Sequence, residues 1–113
     1  MNKQVRKIYA FEFRQIKNDE ETILSQTLFD NASDVKKWVK DNIDDLYVED
    51  LYFAKGLNSE PLFTTDELKS LDPDFDPADY TDFDRSEMRE VDTDEGLMLC
   101  QWELNEKEVI MAL

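Results

Sequence analysis

The sequence predicts an α+β fold: a small, mostly antiparallel sheet carrying one main helix and one short helix. Three observations predict it. An N-terminal segment alternates apolar and polar residues at period two, and a middle segment repeats apolar residues at helical spacing. The C-terminal third then returns to strand-like apolar runs.

The first strand is expected over residues 5–16, where Tyr9, Phe11 and Phe13 share one face and Ile8, Ala10 and Glu12 the other. Lys17 to Glu21 reads as a polar turn, and Thr22 to Phe29 as the partner strand of a hairpin. Without an Asn-Gly pair the turn type stays open. The main helix follows, with Asn31 as its cap and Asp34 in its first turn. Val35, Trp38, Val39, Asn42, Ile43 and Leu46 form its stripe, and Lys36, Lys37 and Lys40 its other face. Trp38 on such a stripe belongs to the core.

Residues 47–54 fit either a continuation of that helix or a third strand, and Gly56 ends either one. Thr64 and Glu67 form a capping box opening a short helix through Leu71, which Asp72-Pro73 stops. Leu97 to Leu104 reads as a buried strand and Asn105 to Lys107 as a turn. Glu108 to Leu113 is a last strand that completes a C-terminal hairpin, in preference to a short helix capped by Asn105.

Composition sets the class. At 113 residues, with 41% hydrophobic and 12% aromatic side chains, the chain has material for one core, and one domain over 1–113 is expected. No signal-peptide pattern opens the sequence, no apolar run approaches a membrane span, and the single Cys100 has no intrachain partner. These features fit a cytoplasmic protein. Cys100 on an apolar run reads as a small buried hydrophobe, since the chain has no histidine to activate it.

Charge is the outlier. Twenty-eight acids against thirteen bases leave −15. Residues 1–40 hold eight bases and six acids, so the other 73 residues carry −17, and the acidic segment 72–95 alone carries −9. Solubility does not require such clustering. The acids expected to meet a partner are Asp72, Asp74, Asp76, Asp79, Asp82, Asp84, Glu87 and Glu90, joined by Asp44, Asp45, Glu49 and Asp50. In an extended chain, alternate residues such as Asp72, Asp74 and Asp76 lie about 6.6 Å apart on one side, near the spacing of nucleic-acid phosphates. Phe75, Tyr80 and Phe83 among them would anchor the segment to the core or reach into a partner.

These features exclude several chemistries. With no histidine there is no catalytic triad and no zinc cluster, and two glycines cannot build a phosphate-binding loop, so no enzyme and no cofactor are expected. Asp72-x-Asp74-x-Asp76 opens like a calcium loop, but Pro77 stands where glycine is needed and Phe83 where the closing Glu belongs. A non-standard divalent site is the minor alternative. Phosphate repels such a chain, so direct nucleic-acid and membrane binding are not expected.

The favoured function is an acidic, non-enzymatic inhibitor that mimics nucleic-acid charge. It would occupy a basic surface of a nuclease or DNA-binding protein, as anti-restriction, anti-CRISPR or nuclease-immunity proteins do. The alternative is a structural or adaptor domain whose acidity only provides solubility. Mimicry predicts one continuous negative face, and solubility predicts dispersed acids. A homodimer, with N-terminal lysines against the acidic half of a second copy, is a further possibility.

Overall fold

A computed structural model describes residues 3–80, 85 and 87–112. Four strands, β1 (Lys3–Lys17), β2 (Glu20–Phe29), β3 (Arg89–Thr93) and β4 (Gly96–Ala112), form one antiparallel sheet in the order β2-β1-β4-β3. Three helices, α1 (Asp34–Asp41), α2 (Val48–Tyr52) and α3 (Thr65–Leu71), lie in the connection between β2 and β3. This is the predicted α+β class, with an N-terminal and a C-terminal hairpin.

The first hairpin turns at Asn18 and Asp19, with φ of 53° and 63°. Two successive positive φ values match the right-handed twist of the strands, and Asn and Asp tolerate that region without glycine. Period two then places Tyr9, Phe11 and Phe13 on the face that meets the helices. Phe11 stacks on Trp102 at 4.5 Å between centroids, and Phe13 stacks on it at 4.9 Å. Phe11 and Phe29 both meet Trp38 edge-on. Val35, Val39, Leu51, Phe63, Leu68 and Leu104 belong to the same buried cluster, and Trp38 packs against it as expected.

Four sequence-based boundaries change. The main helix is shorter than its stripe: α1 ends at Asp41, and Ile43–Asp45 forms one 3₁₀ turn. Asn31 does not cap it, because the N-cap position is Ser33, which makes no side-chain cap bond. Residues 47–54 resolve as the short helix α2 and not as a strand, although Lys55 just beyond bridges Glu103 of β4. Asn105 to Lys107 is not a turn. β4 runs straight through it, and the C-terminal hairpin is β3 with β4, a strand that residues 89–93 did not announce. The capping box at Thr64 is present in both directions, and Lys36 of α1 adds an ion pair to Glu67.

The reason for the uninterrupted β4 lies on the sheet face away from the helices. Glu12 and Glu103 are directly opposed across β1 and β4, and only 2% and 6% exposed. Like charges so placed repel unless donors surround them. Here Glu12 accepts hydrogen bonds from Gln26, Asn105 and Lys107, while Arg14 donates to Glu103 at 2.7 Å. Asn105 and Lys107 are thus strand residues that serve a buried carboxylate. Burial raises the Glu12 carboxyl, but the bonds from Asn105, Gln26 and Lys107 outweigh it and hold it below its ordinary value of 4.5.

A depressed folded pKa contributes stability that is complete above the unfolded value and lost as pH falls through the folded one. Glu12→Gln is therefore expected to lower stability by about 1.5 kcal/mol at neutral pH. The gap to wild type should close as pH drops below 4.5. Urea titrations at several pH values read it, and a gap that is constant with pH would show that the charge on Glu12 is immaterial.

Candidate acidic cavity

The main concave surface of interest lies where the 3₁₀ turn after α1, the start of α2 and residues 71–80 meet. It encloses about 400 Å³ and is lined by Asp44, Glu49, Asp72, Asp74, Asp76 and Asp79, with Tyr47, Phe75 and Tyr80 among them. No lysine or arginine lines it. Tyr47 is 75% exposed at its edge.

Local chemistry explains how residues 72–80 come to wall it. The Asp72 carboxylate accepts the Asp74 N–H at 3.0 Å, and Asp76 accepts that of Ala78 at 3.0 Å. Asp side chains that bond the backbone two residues on make tight turns. Backbone bonds from Phe75 to Asp72 and from Asp79 to Asp76 close the same turns, and Pro77–Tyr80 forms a 3₁₀ turn. Phe75 is buried and stacks on Tyr80 with centroids 5.7 Å apart, and both rings contact Tyr52 of α2. Both aromatics therefore anchor the wall to the core. Tyr80 also hydrogen-bonds Glu49, and burial together with that charge raises its phenol above the ordinary value.

The phosphate-like ladder expected from an extended chain is corrected by these turns. Residues 72–80 are folded back on themselves, so Asp72, Asp74 and Asp76 do not project at a regular strand repeat. What replaces the ladder is a ring of carboxylates around a partly aromatic hollow.

The twelve acids singled out from the sequence are thus divided. Asp44, Glu49, Asp72, Asp74, Asp76 and Asp79 converge on the cavity. Asp45 is exposed but does not line it. Asp50 is turned inward, where its carboxylate pairs with Arg89 of β3, and Arg89 also reaches Glu49 at 3.1 Å. Glu87 is exposed, and its carbonyl accepts a bond from Gln101. Glu90 pairs with Leu99, which puts it on the sheet face away from the helices. Among the described residues, the continuous negative face expected from the acids of 72–95 joined to those of 41–50 is therefore narrowed to residues 72–80 with 44 and 49. Asp82, Asp84 and Phe83 lie outside the described residues.

Two features were not anticipated from the sequence. Tyr47 falls in the stretch 47–54 whose pattern fits either helix or strand, and its exposed ring beside carboxylates emerges only from the packing of α2. Arg85 sits in the acidic run but faces the core. It donates to the carbonyls of Tyr52 and Phe63 at 2.8 and 2.6 Å, and lies 4.2 Å over the Tyr52 ring.

Among the described residues, no three acidic or cysteine groups are close enough together to hold a metal ion. Cys100 is buried, and burial raises its thiol above the ordinary value, which disfavours the nucleophilic thiolate. No helix of the described residues is long and apolar enough to cross a membrane. The chain matches no family model, no curated protein and no solved structure, so the chemistry of the cavity is argued from its own residues.

Proposed function

We propose that the protein is a non-enzymatic binding protein whose acidic cavity receives a lysine or arginine side chain from a basic protein surface. The observation that carries this is the cavity itself. Six carboxylates and an exposed tyrosine ring line one hollow that, among the described residues, offers no cation of its own, and among those residues only Glu49 of the six makes an ion pair with a neighbouring arginine.

A cationic side chain has an apolar stem and a charged head, and this surface complements both. The rings of Tyr47 and Tyr80 offer the stem apolar area and the cation a quadrupole, and the carboxylates offer the head acceptors. A chain at −15 also steers basic partners toward itself over a Debye length. Proteins that hold nucleic acid display clustered lysines and arginines. Inhibition of a nuclease or DNA-binding protein by occupying that surface is the finer form of the proposal.

Glu90 and Asp92 favour a second reading. They lie on β3 away from the cavity, as expected where acidity serves solubility alone. A capture experiment separates the two. Immobilised protein should retain basic nucleic-acid-binding proteins from lysate at low salt and release them on added duplex DNA or rising salt. Recovery of no basic protein would overturn the proposal and leave solubility as the role of the charge.

A further inference from the structure

β1 and β4 are longer than the body they cross. β2 begins to cover β1 only at Tyr9, and β3 covers β4 only over Gly96–Cys100, with Lys55 beside Glu103. Among the described residues, 3–8 and 107–112 therefore have only each other as strand partners, as a two-stranded arm of six residue pairs. That is about 20 Å of ribbon. The radius of gyration, 15.9 Å, records it, since a compact chain of this length has about 13 Å. Two strands alone are marginal in water. Yet this arm exposes apolar side chains on both faces, with Val5 at 55% and Ile110 at 66% on one and Val109 at 40% on the other.

We infer that the arm is a dimerisation element, in which the outer edge of β4 pairs with the same edge of a second copy about a two-fold axis. The hydrogen-bonding side of that edge can be read from its inner end. Lys55 donates to the Trp102 carbonyl and accepts from the Leu104 N–H, so even-numbered residues direct their backbone groups outward there. Strand alternation carries this to residues 106, 108, 110 and 112, where no strand lies alongside among the described residues. No proline, glycine or bulge blunts that edge.

Charge selects both the partner and the edge. Two copies at −15 repel each other body to body. The arm is different: its bases Arg6, Lys7 and Lys107 pair with Asp30, Glu106 and Glu12, so this end of the molecule lacks the negative excess of the body. On the β1 edge a two-fold would set Arg6 and Lys7 against their own copies, in competition with their pairs to Asp30 and Glu106. On the β4 edge, a register centred on Val109 opposes Glu108 to Ile110 and Lys107 to Met111, with no like charges directly across. An isologous contact of this kind closes at two copies and does not propagate. It replaces a charge-driven pairing of lysines with the acidic half of a second copy.

Sedimentation velocity over a concentration series tests this, using the intact chain. The expected result is a dimer that persists as salt rises, because the contact is made of backbone bonds and apolar side chains. Ile110→Pro removes an outward N–H while sparing the bonds to β1, the one placement proline tolerates in a strand. Val109→Lys sets two ammonium groups across the axis. Each should raise the dimer dissociation constant about tenfold or more, with circular dichroism and the tryptophan spectrum unchanged. A monomer at every concentration, a dimer that dissolves with salt, or a dimer untouched by both substitutions would each overturn the inference. The cavity contains none of the arm's residues, so these outcomes are independent of partner capture.

Discussion

Replacing Arg85 with alanine is expected to cost about 3 kcal/mol of folding stability, for a reason that lies in the end of a helix. Tyr52 is the last residue of α2, so its carbonyl has no acceptor role left within the helix. The Arg85 guanidinium supplies the missing donor, reaches the Phe63 carbonyl with a second N–H, and covers the Tyr52 ring. Alanine removes two charge-assisted bonds and leaves two part-buried carbonyls without that donor. Burial lowers the Arg85 pKa, but an arginine that far above neutrality stays charged, so the loss should not depend on pH between 5 and 9. Arg85→Lys keeps the charge but not the planar fork, and should recover less than half of the loss. Urea unfolding reads both, and an alanine variant within about 0.5 kcal/mol of wild type would show that water replaces the guanidinium freely. The function should follow the stability. Tyr52 is the ring on which Phe75 and Tyr80 rest, so loosening it loosens the acidic wall.

That coupling explains which parts of the molecule were legible in sequence. Where a residue's role depends on neighbours one or two turns away, the pattern is explicit. Tyr9, Phe11 and Phe13 alternate, Thr64 and Glu67 cap, and Val35 and Val39 recur at helical spacing. Where the role depends on a partner far along the chain, the local pattern misleads. Asn105-Glu106-Lys107 has turn composition, but β1 lies alongside, and Glu12, 93 residues away, uses the Asn105 amide. Arg89-Glu-Val-Asp-Thr93 hides a strand because Arg89 is held by Glu49 and Asp50 of α2, a contact with no trace in periodicity.

The candidate site divides in the same way. Its charge was visible as composition, and so was its position, because eleven acids fall between residues 72 and 95. Its shape was not. Whether an Asp carboxylate faces a partner or bonds its own backbone depends on turn geometry, and Asp72 and Asp76 do the latter. Aspartates in such turns serve the fold first, which makes Asp74 and Asp79 the better probes of binding.

Reversing those two charges, with Asp74→Lys and Asp79→Lys together, is expected to weaken binding of the basic partner about 100-fold at low salt. The argument needs a matched control, since any such change reduces attraction to a cation. Glu90→Lys with Asp92→Lys changes the net charge by the same amount on the opposite sheet face. If long-range attraction alone holds the partner, both pairs lose affinity equally. If a cationic side chain enters the cavity, the first pair places an ammonium against it at contact distance, while the control changes mainly the association rate. Tyr47→Ala should add a smaller loss of about threefold, the scale of an exposed cation–π contact. It leaves the charge untouched and removes a ring that is already three-quarters exposed, so the fold should not register it. Surface plasmon resonance at two salt concentrations separates these effects. An equal fall for both charge pairs, with no effect at Tyr47, would reduce the cavity to a bystander of net charge.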